Sequence, residues 1–174
     1  MPDKPDDPNE RRRRRPADHI ASKHEAFRAQ LVQSLVKDLL IVGASAGQAR
    51  LLNSLLRAIL GRAVEAKTAA GLPDALEALA ASHPNLILLR RTIPGEAGGN
   101  VQAITVIGEL RAAGFKAPII VISDQLSARE AIDLRRAGAL DVIETDDLNS
   151  VRLFEALSKA AKQPPPGPGK LARL

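Results

Sequence analysis

The sequence predicts an α/β fold in which a five-stranded parallel sheet carries helices on both faces. Five short apolar runs alternate with helical patterns over residues 38–162, and this alternation is typical of parallel strands joined by crossover helices. Three of the runs are almost uninterrupted by polar residues, as expected for strands that are buried on both faces. The chain has 174 residues, of which 45% are hydrophobic, so it can form a sizeable core.

The predicted strands differ in apolar character. In order they are DLLIVG (38–43), AVEAKT (63–68), NLILLR (85–90), APIIVIS (117–123) and ALDVIE (139–144). The second run is the least apolar, and we therefore expect it at an edge of the sheet. Right-handed crossovers between the strands would place helices on both sides of the sheet.

A helical pattern follows each strand. The five patterns are GQARLLNSLLRAILG, LPDALEALAASH, NVQAITVIGELRAAG, SAREAIDLRRAG and LNSVRLFEALSKAAK. Pro73 suits a first helical turn, and three glycines suit helix ends: Gly61, Gly114 and Gly138. Ligands of open parallel sheets bind at the carboxyl ends of the strands, so we look for function in the loops that follow them.

The segments outside residues 38–162 have a different composition. Residues 1–16 are almost entirely charged, polar or proline, and we expect a disordered arm there. Residues 163–174 are rich in proline and glycine, which is typical of a loose tail. Residues 17–37 predict an extra N-terminal amphipathic helix, because apolar side chains recur at helical spacing: Ile20, Phe27, Leu31 and Leu35.

The apolar stripe of this added helix must be covered. It could pack on its own domain or pair with a second copy of the chain, and we favour a homodimer. Gln30 and Ser34 interrupt a heptad pattern, which argues against a long coiled coil.

Composition narrows the classes of function. The net charge of +5 comes from the flanking segments, since residues 38–162 carry fourteen basic and fourteen acidic side chains. A neutral middle is not the continuous basic face of a nucleic-acid-binding domain, although the arginines at 11–15 leave a nucleic-acid-associated regulator as the alternative. The chain has no cysteine and no apolar run of membrane-spanning length, so we expect a cytoplasmic protein without a membrane partner. No nucleophile stands beside a base, and we expect neither an enzyme nor a cofactor.

Residues 38–162 resemble the receiver domain of bacterial response regulators, the flavodoxin-like module of two-component systems. The resemblance lies in five stretches in the family's order and spacing: LLIVGASAGQARLL, GLPDALEALAASHPNLILL, TIPGEAGG, APIIVIS and AREAIDLRRAGALDVI. It implies a doubly wound sheet with the strand order 2-1-3-4-5.

The resemblance also implies a phosphorylation pocket, and here that pocket is degenerate. Receivers bind magnesium through two acidic residues after the first strand, and phosphorylate an aspartate at the end of the third. A hydroxyl residue, a lysine and a coupling aromatic complete the set. The matching positions are Gly43 and Ala44 for the acidic pair, Arg90 for the aspartate, Ser123 for the hydroxyl, Thr145 for the lysine and Val142 for the aromatic.

Only Ser123 matches the family pattern. Magnesium needs carboxylate oxygens, and an acyl phosphate needs a carboxylate, so the sequence predicts a pseudo-receiver without aspartyl phosphorylation. Because the third and fourth strands would be neighbours, we expect Arg90 to form an ion pair with Asp124, or with Glu144 one strand further on. The alternative is that Arg90 extends into solvent.

The family resemblance implies a histidine kinase or another two-component protein as the partner. The usual contact surface in receivers corresponds to about residues 127–162. Charged candidates on it are Arg129, Arg135, Arg136, Asp146 and Asp147, although they could equally be an ordinary solvated surface. The sequence therefore favours an atypical, stand-alone response regulator that acts by protein–protein contact.

Overall fold

The computed structural model describes residues 26, 29–30, 32–61, 64, 66–95 and 98–163. Its strands are β1 (Leu39–Val42), β2 (Lys67–Ala69), β3 (Leu86–Arg90), β4 (Thr92–Pro94), β5 (Asn100–Gln102), β6 (Ile119–Ser123) and β7 (Asp141–Glu144). Its helices are α1 (Ala46–Leu60), α2 (Leu72–Ala81), α3 (Ala103–Ala112), α4 (Ala128–Ala137) and α5 (Ser150–Ala161), with a 3₁₀ turn at Thr145–Asp147. No helix among these described residues is long and apolar enough to cross a membrane.

Five of the strands form one parallel sheet in the order β2-β1-β3-β6-β7. The predicted order 2-1-3-4-5 counted five strands only, and the last two numbers differ because β4 and β5 come between β3 and β6 along the chain. The weakly apolar strand β2 lies at an edge, as its composition predicts. It spans Lys67–Ala69, which is later and shorter than the predicted 63–68.

The two additional strands form an antiparallel hairpin that the sequence did not predict. Thr92 is opposite Gln102, and Pro94 is opposite Asn100. The prediction of helix from residue 100 was therefore wrong at its start. Residues 100–102 pair with β4 instead, and helix α3 begins at Ala103.

The core has two layers, one on each face of the sheet. Successive side chains of a strand point to opposite faces, so the four apolar residues of β3 are divided between the two layers. Ile87 and Leu89 pack in the layer that includes residues of α2, α3 and α4. Leu86 and Leu88 pack in the layer that includes residues of α1 and α5.

The described residues before β1 belong to the second layer. Residues 32–36 are helical, and Val32 and Val36 are 0% and 2% exposed. Leu35, one of the residues proposed for a dimer helix, is partly buried against the same cluster. The other three proposed positions (Ile20, Phe27 and Leu31) lie outside the described residues, as do the arm at 1–16 and residues 164–174 of the tail.

Candidate functional site

Arg90 is the last residue of β3 and lies at the carboxyl edge of the sheet. Its side chain is 11% exposed, and its Nη2 donates to both carboxylate oxygens of Asp124 at 2.7 Å. Asp124 follows the last residue of β6, and its own side chain is 69% exposed. Of the two partners that the sequence left open, Arg90 contacts Asp124 and not Glu144. The hydrogen bond from Arg90 lowers the pKa of Asp124, and the hydrogen bond from Thr145 lowers it further.

Thr145 joins the same cluster from the end of β7. Its Oγ1 accepts a hydrogen bond from Arg90 Nη1 at 3.3 Å and lies 2.8 Å from Asp124 Oδ1, to which it donates. The three side chains thus connect the ends of β3, β6 and β7. Ser123 is fully buried beside them, but its Oγ donates to the carbonyl oxygen of Gln125 at 2.8 Å. That hydroxyl closes a turn and does not point into the cluster.

Gly43 follows β1 in a conformation that excludes a side chain. Its φ is +76°, a region that favours glycine, and a Cβ built on it would overlap Cγ2 of Ile93. Ile93 is fully buried, so it occupies the space that a larger residue at position 43 would need. Ala44, the next residue, packs against the core layer beneath it.

The hairpin of β4 and β5 holds Ile93 in this place. Ile93 is opposite Val101 in the hairpin, and the amide of Ala103 donates to the carbonyl of Arg91 at 2.7 Å. On the other side, a Cβ on Gly71 would lie 2.6 Å from the carbonyl oxygen of Pro94, so the backbones approach closely here. The hairpin therefore closes the part of the sheet edge next to β1.

These positions do not fit a magnesium ion. At the three positions where receivers have carboxylates, this chain has Gly43, Ala44 and Arg90. Ile93 occupies the space over Gly43, and the guanidinium of Arg90 repels a divalent cation. Among the described residues there is also no group of three or more histidine or acidic side chains that could hold a metal. Val142, at the position of the family's aromatic residue, is an aliphatic side chain buried in the core.

A polar cleft of about 490 Å³ borders Arg90 on the side away from β1. It is lined by Arg90, Arg91, Thr92, Asp124, Gln125 and Asp146. Arg91 is held by an ion pair of 2.8 Å with Glu130, in the first turn of α4. The hydroxyl of Ser127 also binds Glu130 and caps this helix, so the loop after β3 is tied to the start of α4.

A second ionic cluster, not predicted from the sequence, surrounds Asp141 at the start of β7. Asp141 is 2% exposed, and Arg152 and Lys159 of α5 each donate to it at 3.0 Å. Arg135 of α4 approaches to 3.6 Å. Burial alone would raise the pKa of Asp141, but the hydrogen bonds from Arg152 and Lys159 outweigh it and lower the pKa to about 2. In the sequence, this cluster is indicated by one acidic residue, Asp141, within the predicted strand 139–144.

The residues suggested as a partner surface have two different environments. All five are exposed: Arg129, Arg135, Arg136, Asp146 and Asp147. Arg135 differs from the others in that its guanidinium lies 3.6 Å from the buried carboxylate of Asp141.

The fold is similar to that of response-regulator receiver domains. The receiver domain of NtrX from Brucella abortus matches with a TM-score of 0.62 and 24% identity, over 73% of this chain and 100% of that one. The signal receiver domain of a DNA-binding response regulator from Colwellia psychrerythraea 34H matches with a TM-score of 0.59 and 19% identity, over 72% and 98%. The receiver domain of a Francisella response regulator matches with a TM-score of 0.58 and 15% identity, over 72% of this chain and 97% of that one.

No protein-family model and no curated protein matches the sequence. The identities to the solved structures show the fold alone. Within that fold, the carboxyl edge of the sheet carries the cluster of Arg90, Asp124 and Thr145, and beside it the hairpin of β4 and β5.

Proposed function

We propose that this protein is an atypical response-regulator receiver that acts in two-component signalling by protein–protein contact, without aspartyl phosphorylation. The observation that supports the proposal best is the cluster at the end of β3, where Arg90 is bonded to Asp124 and Thr145. The similarity to receiver domains supports the signalling context.

The residues of this edge argue against phosphoryl transfer. A guanidinium is not a nucleophile, and the developing charge on a transferred phosphoryl group needs a metal ion, whose acidic pair after β1 is replaced here by Gly43 and Ala44. A single substitution at position 90 would not repair the site, because Ile93 still covers Gly43.

The contacts of the cluster favour one fixed arrangement of the neighbouring loops. Arg90 connects the ends of three strands, and Arg91 connects the loop after β3 to Glu130 of α4. A partner would therefore meet the surface of α4, β7 and α5 in a constant form. We propose a histidine kinase or another two-component protein as that partner, with Arg129 and Arg136 as exposed contact residues.

The chemical half of the proposal is tested with a small phosphodonor such as acetyl phosphate and magnesium, followed by intact mass measurement. We expect no added phosphoryl group on the wild type, and none on Arg90→Asp, because both chains have Gly43 and Ala44 in place of the acidic pair that holds magnesium. A receiver domain that has the aspartate serves as the positive control. A phosphoryl group on the wild-type chain that hydroxylamine removes would contradict the proposal.

The contact half is tested by binding of purified histidine kinases from the same cell to the immobilised protein. We expect the double variant Arg129→Glu, Arg136→Glu to lose binding. The matched control is Arg50→Glu, Arg57→Glu, which reverses two charges on α1 outside the proposed surface. Equal loss in both double variants would contradict the assigned surface.

A further inference from the structure

The polar cleft beside Arg90 has the composition of a ligand site. Its lining comes from three places: residues 90–92 between the end of β3 and the start of β4, residues 124–125 after β6, and Asp146 after β7. At about 490 Å³, it has room for a small molecule and not only for water. On the β1 side Ile93 fills the space over Gly43, so the room that remains lies on the side of Asp124.

Arg90 is a fixed cation at the base of this cleft. The residue is 9% exposed, its backbone pairs with Ile122 of β6, and its guanidinium is bonded to Asp124 and Thr145, so its position at the edge of the sheet is well defined. A guanidinium carries five N–H donors. Within the described part of the chain, its nitrogens make three hydrogen bonds, two from Nη2 to Asp124 and one from Nη1 to Thr145. Donors therefore remain for another acceptor.

Asp124, in contrast, is a replaceable partner. Its side chain is 69% exposed, so water can hydrate the carboxylate when it leaves Arg90. Asp124 can therefore give way to another anion that takes its place on Arg90. Its departure would free Arg90 Nη2. The Thr145 hydroxyl, which donates to Asp124 Oδ1 at 2.8 Å, would still have the carbonyl oxygen of Ser123 at 3.1 Å as an acceptor.

We propose that this cleft binds a small phosphate-bearing anion, with Arg90 as the anchoring residue and Asp124 as an internal competitor. A phosphate oxygen pair matches the planar donors of an arginine better than one exposed carboxylate does, because phosphate accepts more hydrogen bonds. Arg91 and Thr92, which also line the cleft, supply a second cation and a hydroxyl. This inference adds a ligand to the proposed function, and it does not depend on contact with a kinase.

The acidic residues of the cleft set limits on the ligand. Asp146 lines its outer part, and Glu130 already pairs with Arg91. With Asp124 in place, the two arginines of the lining are balanced by two aspartates. A bound anion must therefore displace Asp124, and the site favours a single phosphate group over a polyanion.

The test is a ¹H–¹⁵N NMR titration of the full chain with sodium phosphate, compared with sodium chloride at equal ionic strength. We expect saturable shifts of the amides at 90–92, 123–125 and 145 with phosphate only. Asp124→Asn removes the competitor and should tighten binding about three- to tenfold. Arg90→Gln should abolish it.

Arg57→Gln on α1 is the matched control, because it removes one positive charge at a residue that does not line the cleft. Its dissociation constant should equal that of the wild type. The proposal is overturned if Asp124→Asn binds no tighter than the wild type, a readout that does not depend on Arg90→Gln folding correctly. It is also overturned if Arg57→Gln weakens binding as much as Arg90→Gln does.

Two further ligands identify the source of the phosphate group. Tighter binding of glycerol 3-phosphate than of inorganic phosphate would assign the site to a phosphate ester, and the reverse order would assign it to the free ion. Acetate binding as tightly as phosphate would contradict the phosphate assignment. An unchanged intact mass after the titration distinguishes this binding from covalent phosphorylation, so each proposal can fail without the other.

Discussion

The two ionic clusters of this domain lie at opposite ends of the sheet and are built with opposite polarity. At the carboxyl ends of the strands the cation is buried and the anion is exposed: Arg90 is 11% exposed and Asp124 69%. At the start of β7 the anion is buried and two of its cations are half exposed: Asp141 is 2% exposed, Arg135 51% and Lys159 54%. In each cluster a buried charge of one sign is paired with more exposed groups of the opposite sign.

The difference shows which cluster stabilises the fold. Asp141 receives hydrogen bonds from two cations and from the amide of Val142, which together outweigh the penalty of burying a carboxylate. Arg90 has one exposed acid and one hydroxyl, an arrangement that contributes little. The carboxyl edge is held instead by packing of the hairpin, through Ile93 over Gly43.

The largest expected effect tests this packing. Gly43→Ala should destabilise the protein by about 3 kcal/mol, because a left-handed residue with a Cβ is strained and because that Cβ would overlap Ile93. The measurement is urea unfolding with linear extrapolation. Gly61→Ala is the matched control, since Gly61 is also left-handed (φ +66°) but has nothing within 4 Å of a Cβ. It should cost about 1 kcal/mol, and equal losses would show that Ile93 does not close the edge.

The second-largest effect is expected when the buried carboxylate of Asp141 loses its charge. Asp141→Asn should lower the free energy of unfolding at pH 7 by about 2 kcal/mol, because the folded state lowers the pKa of this group from 3.8 to about 2. Asp133→Asn on α4 is the control, and it should change stability by less than about 0.5 kcal/mol.

The pH dependence of this difference has a definite sign. A carboxyl whose pKa is lower in the folded chain stabilises the fold above its unfolded pKa, and that contribution disappears as the pH falls through the folded value. The difference in the free energy of unfolding between wild type and Asp141→Asn should therefore be constant near neutrality and should disappear between about pH 4 and pH 2. A difference that is still of full size at pH 2 would mean that the charge of Asp141 is not its cause.

The smallest effect comes from the exposed acid. Asp124→Asn should reduce the free energy of unfolding by less than about 1 kcal/mol, because the lost partner of Arg90 is solvent-exposed and water can replace it. Chemical denaturation at low and at high salt measures both the loss and its screening. A loss of about 2 kcal/mol or more, as for Asp141→Asn, would remove the contrast between the two clusters.

Much of the fold could be predicted from the sequence, because five apolar runs separated by amphipathic patterns leave few arrangements open. The hairpin could not. Its strands, Thr92–Pro94 and Asn100–Gln102, are three residues each, and they are held by contacts with Gly43 and Gly71, which are distant along the chain. Short strands of this kind depend on tertiary contacts and carry no periodic pattern of their own.

The candidate site was partly predictable for a similar reason. The strand order places Arg90 beside the end of β6 and one strand away from the end of β7. Each of these ends has an acidic residue, so the sequence did not distinguish between Asp124 and Glu144 as the partner. The partners of Asp141 were harder to see. They lie on two different helices, and only the packing of α4 and α5 around β7 brings Arg135, Arg152 and Lys159 to one carboxylate.

The burial of Val32 and Val36 has a mechanical consequence. These residues pack among side chains of α1 and α5, so the helical segment at 32–36 is part of the interior of the domain. A force applied to this segment would reach the hydrophobic layer directly, without passing through Arg90, Asp124 and Thr145 at the carboxyl edge of the sheet.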